Sequence, residues 1–303
     1  MASVHYLGID VGGTNVKMGV IDAKSGKITN FYSHDTGAWR ESGHFMDQFA
    51  DAIAVMLYAN KELKKVGIGL PGMINRERTT PLEITAIPEL DGVPMVDILT
   101  KRFPDVEFFL ENDANAAALG EFYFVDDMND ENYIFITLGT GVGGAAIISK
   151  KVFVGGDGNA MEPGHVPSRN GKVLERNIGK KELLELAVAR RASFKGQTTL
   201  PTDGSISTTG LVAAAAEGDA LALAIWGEVG DMLGEALVSL VRILDIKQIL
   251  IGGGLSASFD YIMPAVTKQL DYWLTPYYKT DLKVTKATLG NDAGLLGAAS
   301  LCF

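Results

Sequence analysis

"YLGIDVGGTNVKMGVI", residues 6–21, and "YIFITLGTGVGGAAII", residues 133–148, share one design. In each, a run of apolar residues breaks at a turn rich in Gly and Thr and then resumes as a second apolar run. The order implied is strand, tight turn, strand. A dinucleotide-binding unit differs, because its glycine turn opens a helix. When Tyr6 is set on Tyr133, Ile9 falls on Ile136, Gly12 on Gly139 and Ile21 on Ile148. A single correspondence at this distance is a duplication and not the short period of a solenoid. It predicts two similar α/β lobes facing a cleft.

Other elements follow from spacing. Phe45, Phe49, Ile53, Met56 and Leu57 recur at helical intervals. "KKVGIGLPG" reads as a buried strand stopped at Pro71-Gly72, and "VEFFLEND" as another short strand. "ANAAALGEFYF" is rich in helix formers, which puts Asn112 and Asp113 where a strand ends and a helix begins. Ligands of open α/β sheets bind at that end of the strand. Helices are expected around residues 180–193 and 219–244, a strand at "QILIGGG", a helix from about Phe259, a strand at "LKVTKAT" and a helix after Asn291. The expected domains are an N-terminal lobe, residues 1–117, and a C-terminal lobe, residues 118–290, with the change near 118–130. The segment 291–303 is expected to fold back onto the first lobe.

The 303 residues, 47% of them hydrophobic, suffice for two cores. A net charge of −10 argues against a general nucleic-acid surface, which needs clustered Lys and Arg. Small anions remain compatible, since backbone N–H groups bind phosphate without a basic patch. Cys302 is the one cysteine, which excludes an intrachain disulfide or a cysteine zinc cluster. "MASVHYLGID" lacks the layout of a signal peptide, and no apolar run is long enough to span a bilayer. The expectation is a soluble cytoplasmic protein.

Gly lets a backbone approach a polyphosphate closely, and successive N–H groups form an anion-binding nest. Thr14 and Thr140 add hydroxyl donors. One glycine hairpin by itself is better explained by conformation alone; two equivalent ones, each beside a Thr, favour phosphate binding. Asp10 ends an otherwise apolar strand. It fits a Mg²⁺ ligand, direct or through water, or an acceptor for N–H groups of its own turn. "GGGLS", residues 252–256, suits either a tight strand-to-helix turn or close approach to a flat nucleotide.

Taken together, "GIDVGGTNVKMGVID", "GIGLPG", "ENDANAAALGE", "LGTGVGGA", "MEPGH", "IGGGLS" and "NDAGLLGAA" resemble the ROK family of sugar kinases and repressors, within the actin-like ATPase superfamily. The resemblance implies an α/β, two-lobed, ribonuclease H-like fold with an interlobe cleft. It also implies ATP- and Mg²⁺-dependent phosphorylation of a hexose and a homodimer. On the matching positions, Asp113 resembles the catalytic base and Asn112 a sugar-hydroxyl ligand. Glu162 and His165 match the E-x-G-H sugar element, Glu175 the later sugar-contacting Glu, and Gly72 lies in the substrate-side "LPG". The nucleotide side comprises Asp10, Gly12, Gly13, Thr14 and Lys17 in the first repeat. Thr137, Gly139, Thr140 and Gly141 fill it in the second, with Gly253 and Gly254 from the third glycine turn.

The chemistry is consistent with those roles. A carboxylate accepts a hydroxyl proton, while metal and backbone donors meet charge on the transferring phosphate. A helix N-terminus would keep Asp113 ionised; an N-cap is the other job such an Asp performs. Considered singly, His165 fits an exposed loop histidine, Glu162 a solvated charge and Glu175 a helix-dipole partner. Two departures from the family stand out. The stretch "VPSRNGKVLERN" holds no Cys, so no structural zinc is expected and packing or hydrogen bonds must brace that loop. In "ITAIPELDGVP", Ala86 stands where the family often has a sugar-contacting Asn, and Leu90 where it often has Trp. Hexose survives as a class while the epimer stays open. A sugar-responsive regulator is the rival reading, but it needs a DNA-binding domain ahead of Asp10, where little chain precedes. A sugar-binding sensor with weak catalysis is the other alternative.

Overall fold

The computed structural model describes residues 4–125 and 131–303. Residues 126–130, part of the expected domain boundary, and residues 1–3 of the N-terminal segment lie outside the described residues. The chain opens with β1 (His5–Val11), β2 (Asn15–Asp22) and β3 (Ile28–Asp35), paired antiparallel in sequence order. Two helices, α1 (Thr36–Glu41) and α2 (Phe45–Ala59), lead to β4 (Lys65–Leu70), which lies parallel to β1. A small antiparallel pair, β5 (Met73–Ile74) and β6 (Pro81–Glu83), then α3 (Met95–Arg102), precedes β7 (Glu107–Asn112). β7 is parallel to β4, giving the sheet order β3-β2-β1-β4-β7, and α4 (Asp113–Phe124) follows without a loop.

The two faces of this sheet follow from the two-residue period of a strand. Leu7, Ile9 and Val11 of β1, Val16, Met18 and Val20 of β2, and Val66, Ile68 and Leu70 of β4 enter one core with Phe45, Phe49 and Ile53 of α2. At the centre of the other face the positions are glycine: Gly8, Gly19 and Gly67 lie side by side, with Gly69 next along β4. A Cβ on Gly8 would overlap the Leu295 carbonyl, one on Gly67 the Ala298 carbonyl, and one on Gly19 would lie 3.1 Å from Leu295 Cδ2. The glycine face is therefore a bed on which a helix backbone rests directly. That helix is α11 (Ala293–Ser300), and it also packs on α4, where Gly297 meets the Ala116 carbonyl.

The second sheet repeats the scheme with β8 (Tyr133–Leu138), β9 (Val142–Ile148) and β10 (Lys151–Val152). Helices α5 (Glu175–Ile178), α6 (Lys180–Ser193), α7 (Thr208–Ala216) and α8 (Ala220–Leu244) come next. Then β11 (Gln248–Gly252), α9 (Phe259–Trp273), α10 (Pro276–Lys279) and β12 (Lys283–Lys286) complete the set. Its order, β10-β9-β8-β11-β12, matches the first sheet strand for strand. Within it, β11 runs parallel to both β8 and β12. Gly230 and Gly234 of α8 sit against the Ile262 carbonyl and Val266 of α9, so these long helices also meet at glycines.

Two compact units emerge: Met1–Glu131 with Ala145–Ala160 and Asn291–Phe303, and Asn132–Gly144 with Met161–Gly290. Position 117/118 falls inside the continuous helix α4. Among the described residues no single helix is long and apolar enough to cross a membrane.

Gly297→Ala should lose roughly 1–3 kcal/mol or more, since the new methyl overlaps a helix backbone. Gly227→Ala, in α8 with no neighbour within 4 Å of the added carbon, should instead gain about 0.5–1 kcal/mol. Urea unfolding of the two variants beside wild type checks both signs.

Candidate active site

In the first unit the parallel strands β1, β4 and β7 end level. Asp10 pairs with Gly69, and Gly69 with Glu111. Beyond this row the β1–β2 turn projects Gly13 and Thr14 into solvent. The turn is held from behind: Gly12 N–H donates to Asn15 O (2.9 Å), and buried Thr36 donates its hydroxyl to Gly12 O (2.7 Å) and its N–H to Thr14 O (3.0 Å). Neither Gly12 nor Gly13 has a left-handed φ. Space decides Gly13, whose added Cβ would stand 3.2 Å from that of Ala86. Ala86 thus lies beside the first turn, whereas Leu90 is buried in the core.

Asp10 is partly buried, with Lys17 Nζ 3.6 Å away. Lys17 also donates to Asn291 O at 3.1 Å, and Gly294 of α11 comes so close that a Cβ there would lie 2.8 Å from the Asp10 carboxyl carbon. Burial pushes the Asp10 carboxyl above its usual range, against the pull of Lys17. Its charge is incompletely balanced.

The β7–α4 junction presents Asn112 and Asp113. Asn112 is the N-cap: its Oδ1 accepts from the N–H groups of Ala114 (2.9 Å) and Asn115 (3.2 Å). Capping therefore falls mainly to Asn112, and Asp113 is the first helical residue, its Oδ1 accepting from Ala114 N–H at 2.8 Å. Asn112 Nδ2 donates to Gly72 O at 3.1 Å. Gly72 has φ 85°, and a Cβ would overlap Glu83 O, so only glycine serves there.

The second unit gathers the other candidates. In the β8–β9 turn Gly139 N–H donates to Gly141 O (2.9 Å), Lys180 N–H to Gly139 O (3.1 Å), and Thr140 is exposed. Glu175, first residue of α5, accepts the N–H of Val142 at 3.0 Å and fills the space a side chain on Gly141 would need. Gly253, at φ 87°, lies against Thr137 Oγ1 and Leu138, while Gly254 is exposed with no neighbour within 4 Å of a built Cβ. Glu162 Oε2 is 3.2 Å from His165 Nδ1. Burial raises the Glu162 carboxyl above its usual range; His165 opposes this and Glu175 adds to it. Glu162, His165 and Glu175 thus form one cluster beside the second turn.

The segment between His165 and Glu175 closes on itself. Pro167 bridges to Val173, Ser168 N–H donates to Lys172 O (2.8 Å), and Leu174 N–H donates to Val166 O (3.0 Å). Buried Asn177 donates to Arg169 O (2.9 Å) and Val173 O (3.2 Å) and accepts from Asn170, while Arg169 pairs with Glu235. Sequence reading named neither Thr36 nor Asn177. Each is a polar residue in an unremarkable context, and each acts on backbone carbonyls of distant or looped chain.

The chain matches the sequence profile of the ROK family over residues 6–303. It is 30% identical to a glucokinase from Thermotoga maritima over 315 aligned positions, covering 99% of this chain and 98% of that one. Among solved structures, one from Cytophaga hutchinsonii, of a protein proposed to be a sugar kinase, is 41% identical, with TM-score 0.93 and 99% of both chains covered. A ROK family glucokinase from Streptomyces griseus, crystallised with glucose and AMPPNP, is 29% identical, with TM-score 0.80 and coverage of 98% and 99%.

Asp10→Asn should stabilise the ligand-free protein at neutral pH, because burial opposes the charged carboxyl. The raised folded-state value means the native protein binds this proton more tightly than the unfolded chain, so wild-type stability falls as pH rises through that value. The advantage of the variant should grow over the same window and vanish in acid below the ordinary carboxylate range. Thermal unfolding from pH 3 to 8 (about the span of the window) tests this; an advantage independent of pH would contradict it.

Proposed function

The chain belongs to the ROK family, and we propose that it is an ATP-dependent sugar kinase that phosphorylates a hexose or hexose derivative with Asp113 as general base. Relatives named glucokinase and a solved relative holding glucose and AMPPNP support the reaction class. The observation that carries the residue assignment is the β7–α4 junction. There Asn112 takes over the cap and is tied to Gly72 O, and the Asp113 carboxylate stands at the head of a helix, just past the strand row in which Asp10, Gly69 and Glu111 lie level.

A sugar hydroxyl gives its proton to Asp113 as its oxygen bonds to the terminal phosphorus of ATP, and the bond from that phosphorus to the bridging oxygen breaks to release ADP. Asn112, Glu162, His165 and Glu175 orient the sugar, the carboxylates accepting from hydroxyls and the imidazole donating. Gly12, Gly13, Thr14 and Lys17, together with Thr137, Gly139, Thr140 and Gly141, meet the phosphates, and Gly253 and Gly254 admit the flat nucleotide. Open space at Gly254 and the exposure of Thr14 and Thr140 support these roles.

Asp10 fits a Mg²⁺ ligand, since its burial leaves a carboxylate short of positive charge and Mg²⁺ takes one or two carboxylates beside phosphate and water. When bound, the ion neutralises charge on the phosphates. Hydrogen bonds through Asn177 support a loop that works without zinc. The reading extends to a cytoplasmic homodimer, on family resemblance.

A coupled assay with Mg-ATP and a panel of hexoses and N-acetylhexosamines should find turnover. Asp113→Ala should cut kcat by about 10²–10⁴-fold while calorimetry shows the sugar still binding. Wild-type turnover in that variant would remove Asp113 as the base, and a sugar bound but never phosphorylated would favour a sensor. Elemental analysis of the purified protein should find no stoichiometric zinc.

A further inference from the structure

Between β5 and β6 the chain turns through "NRERTT", residues 75–80. Asn75 builds the turn: its Oδ1 accepts from the N–H groups of Thr79 (2.8 Å) and Thr80 (2.9 Å), and its Nδ2 donates to Thr79 Oγ1 (3.0 Å). Arg78 N–H closes on Asn75 O at 3.0 Å, and Arg78 sits at φ 57°, in the left-handed region that long side chains seldom occupy. Its guanidinium points inward. Nε is 3.2 Å from Glu111 Oε2, Nη2 donates to Gly158 O at 2.6 Å, and Nη1 is buried with no hydrogen-bond partner among the described residues.

Glu111 is itself buried, and its other oxygen accepts from Asn112 N–H (2.8 Å) and Asn115 Nδ2 (3.1 Å). Asn112 caps α4 and precedes Asp113. Gly158 is followed by Asn159, whose amide accepts from Ile74 N–H (2.9 Å) and donates to Ile74 O (3.0 Å), pinning residues 158–159 beside β5. A forked cation suits this place because it serves two acceptors at fixed angles, which a point charge does not.

We propose that Arg78 is a positioning residue for phosphoryl transfer: through Glu111 it locks the β7–α4 junction that aims Asn112 and Asp113, and through Gly158 it anchors the segment running into Glu162. This rests on Asp113 being the base. Arg78 touches no reacting atom. Its effect is orientation, and misplacing a catalytic group by about 1 Å costs on the order of 10²-fold in rate.

The test is steady-state kinetics of Arg78→Lys, Arg78→Met, Glu111→Gln and the double variant Arg78→Met/Glu111→Gln, with circular dichroism and thermal unfolding on each. Arg78→Met leaves Glu111 as a buried unpaired charge. It should lose about 10–100-fold in kcat, within the cost of such a displacement, with KM for ATP little changed. Neutralising both partners keeps an acceptor for Asn112 N–H and should recover several-fold of the loss, a rescue that a general packing defect would not show. Folded Arg78→Met with wild-type kcat, or a double variant no better than the single, would overturn the proposal. If Arg78→Met does not fold, Arg78→Lys decides: reduced kcat with native secondary structure supports it and wild-type kcat ends it. Asp113→Asn, assayed alongside, separates the two ideas. An inactive Asp113→Asn with unaffected Arg78 variants removes only the Arg78 role, and an active Asp113→Asn removes the base itself.

Discussion

The first unit depends on helix α11 lying backbone-to-backbone on a patch of sheet whose central positions are glycine. Ordinary strands hold a helix about a side chain's length away; Gly8, Gly67 and Gly19 remove that layer. The gain is not only burial. Close approach brings Gly294 against the Asp10 carboxyl and Asn291 O within reach of Lys17. It also lets Gly297 settle on the α4 backbone behind Asn112 and Asp113. The floor beneath the strand ends is thus set by glycines whose φ values are mostly unexceptional and whose value is their lack of volume.

Each unit also holds a carboxylate that burial pushes toward its neutral form, Asp10 in one and Glu162 in the other. Neither arrangement is optimal for the ligand-free protein. Lys17 only partly offsets the first, and Glu175 works against the second. Sites of this kind commonly retain such imbalance because binding relieves it.

Much of the fold was legible. The paired hairpins were readable because apolar runs flank turns that only small residues tolerate, and the β7–α4 junction because an apolar strand meets an Ala-rich helix. β3 escaped notice since its residues are almost all exposed, leaving no alternation to read. α7, Ala-rich and without a strong polar face, offered little helical periodicity. At the site, Asp10, Asn112 and Asp113 could be picked out as polar residues in apolar surroundings. Thr36, Arg78 and Asn177 could not, because their meaning lies in which remote carbonyl each one meets. Asn112 and Asp113 also show how adjacent residues divide work that either could perform: sequence alone offered Asp113 a cap as the alternative to catalysis, and geometry gives the cap chiefly to its neighbour.

The glycine bed has a consequence for biosynthesis. Residues 291–303, which cover it, leave the ribosome only after the entire second unit has been made. Until then the nascent first unit displays a bare, apolar-flanked surface with nothing seated on it, the kind of exposure that recruits chaperones. Vectorial synthesis therefore delays completion of the N-terminal unit until the second unit has been made.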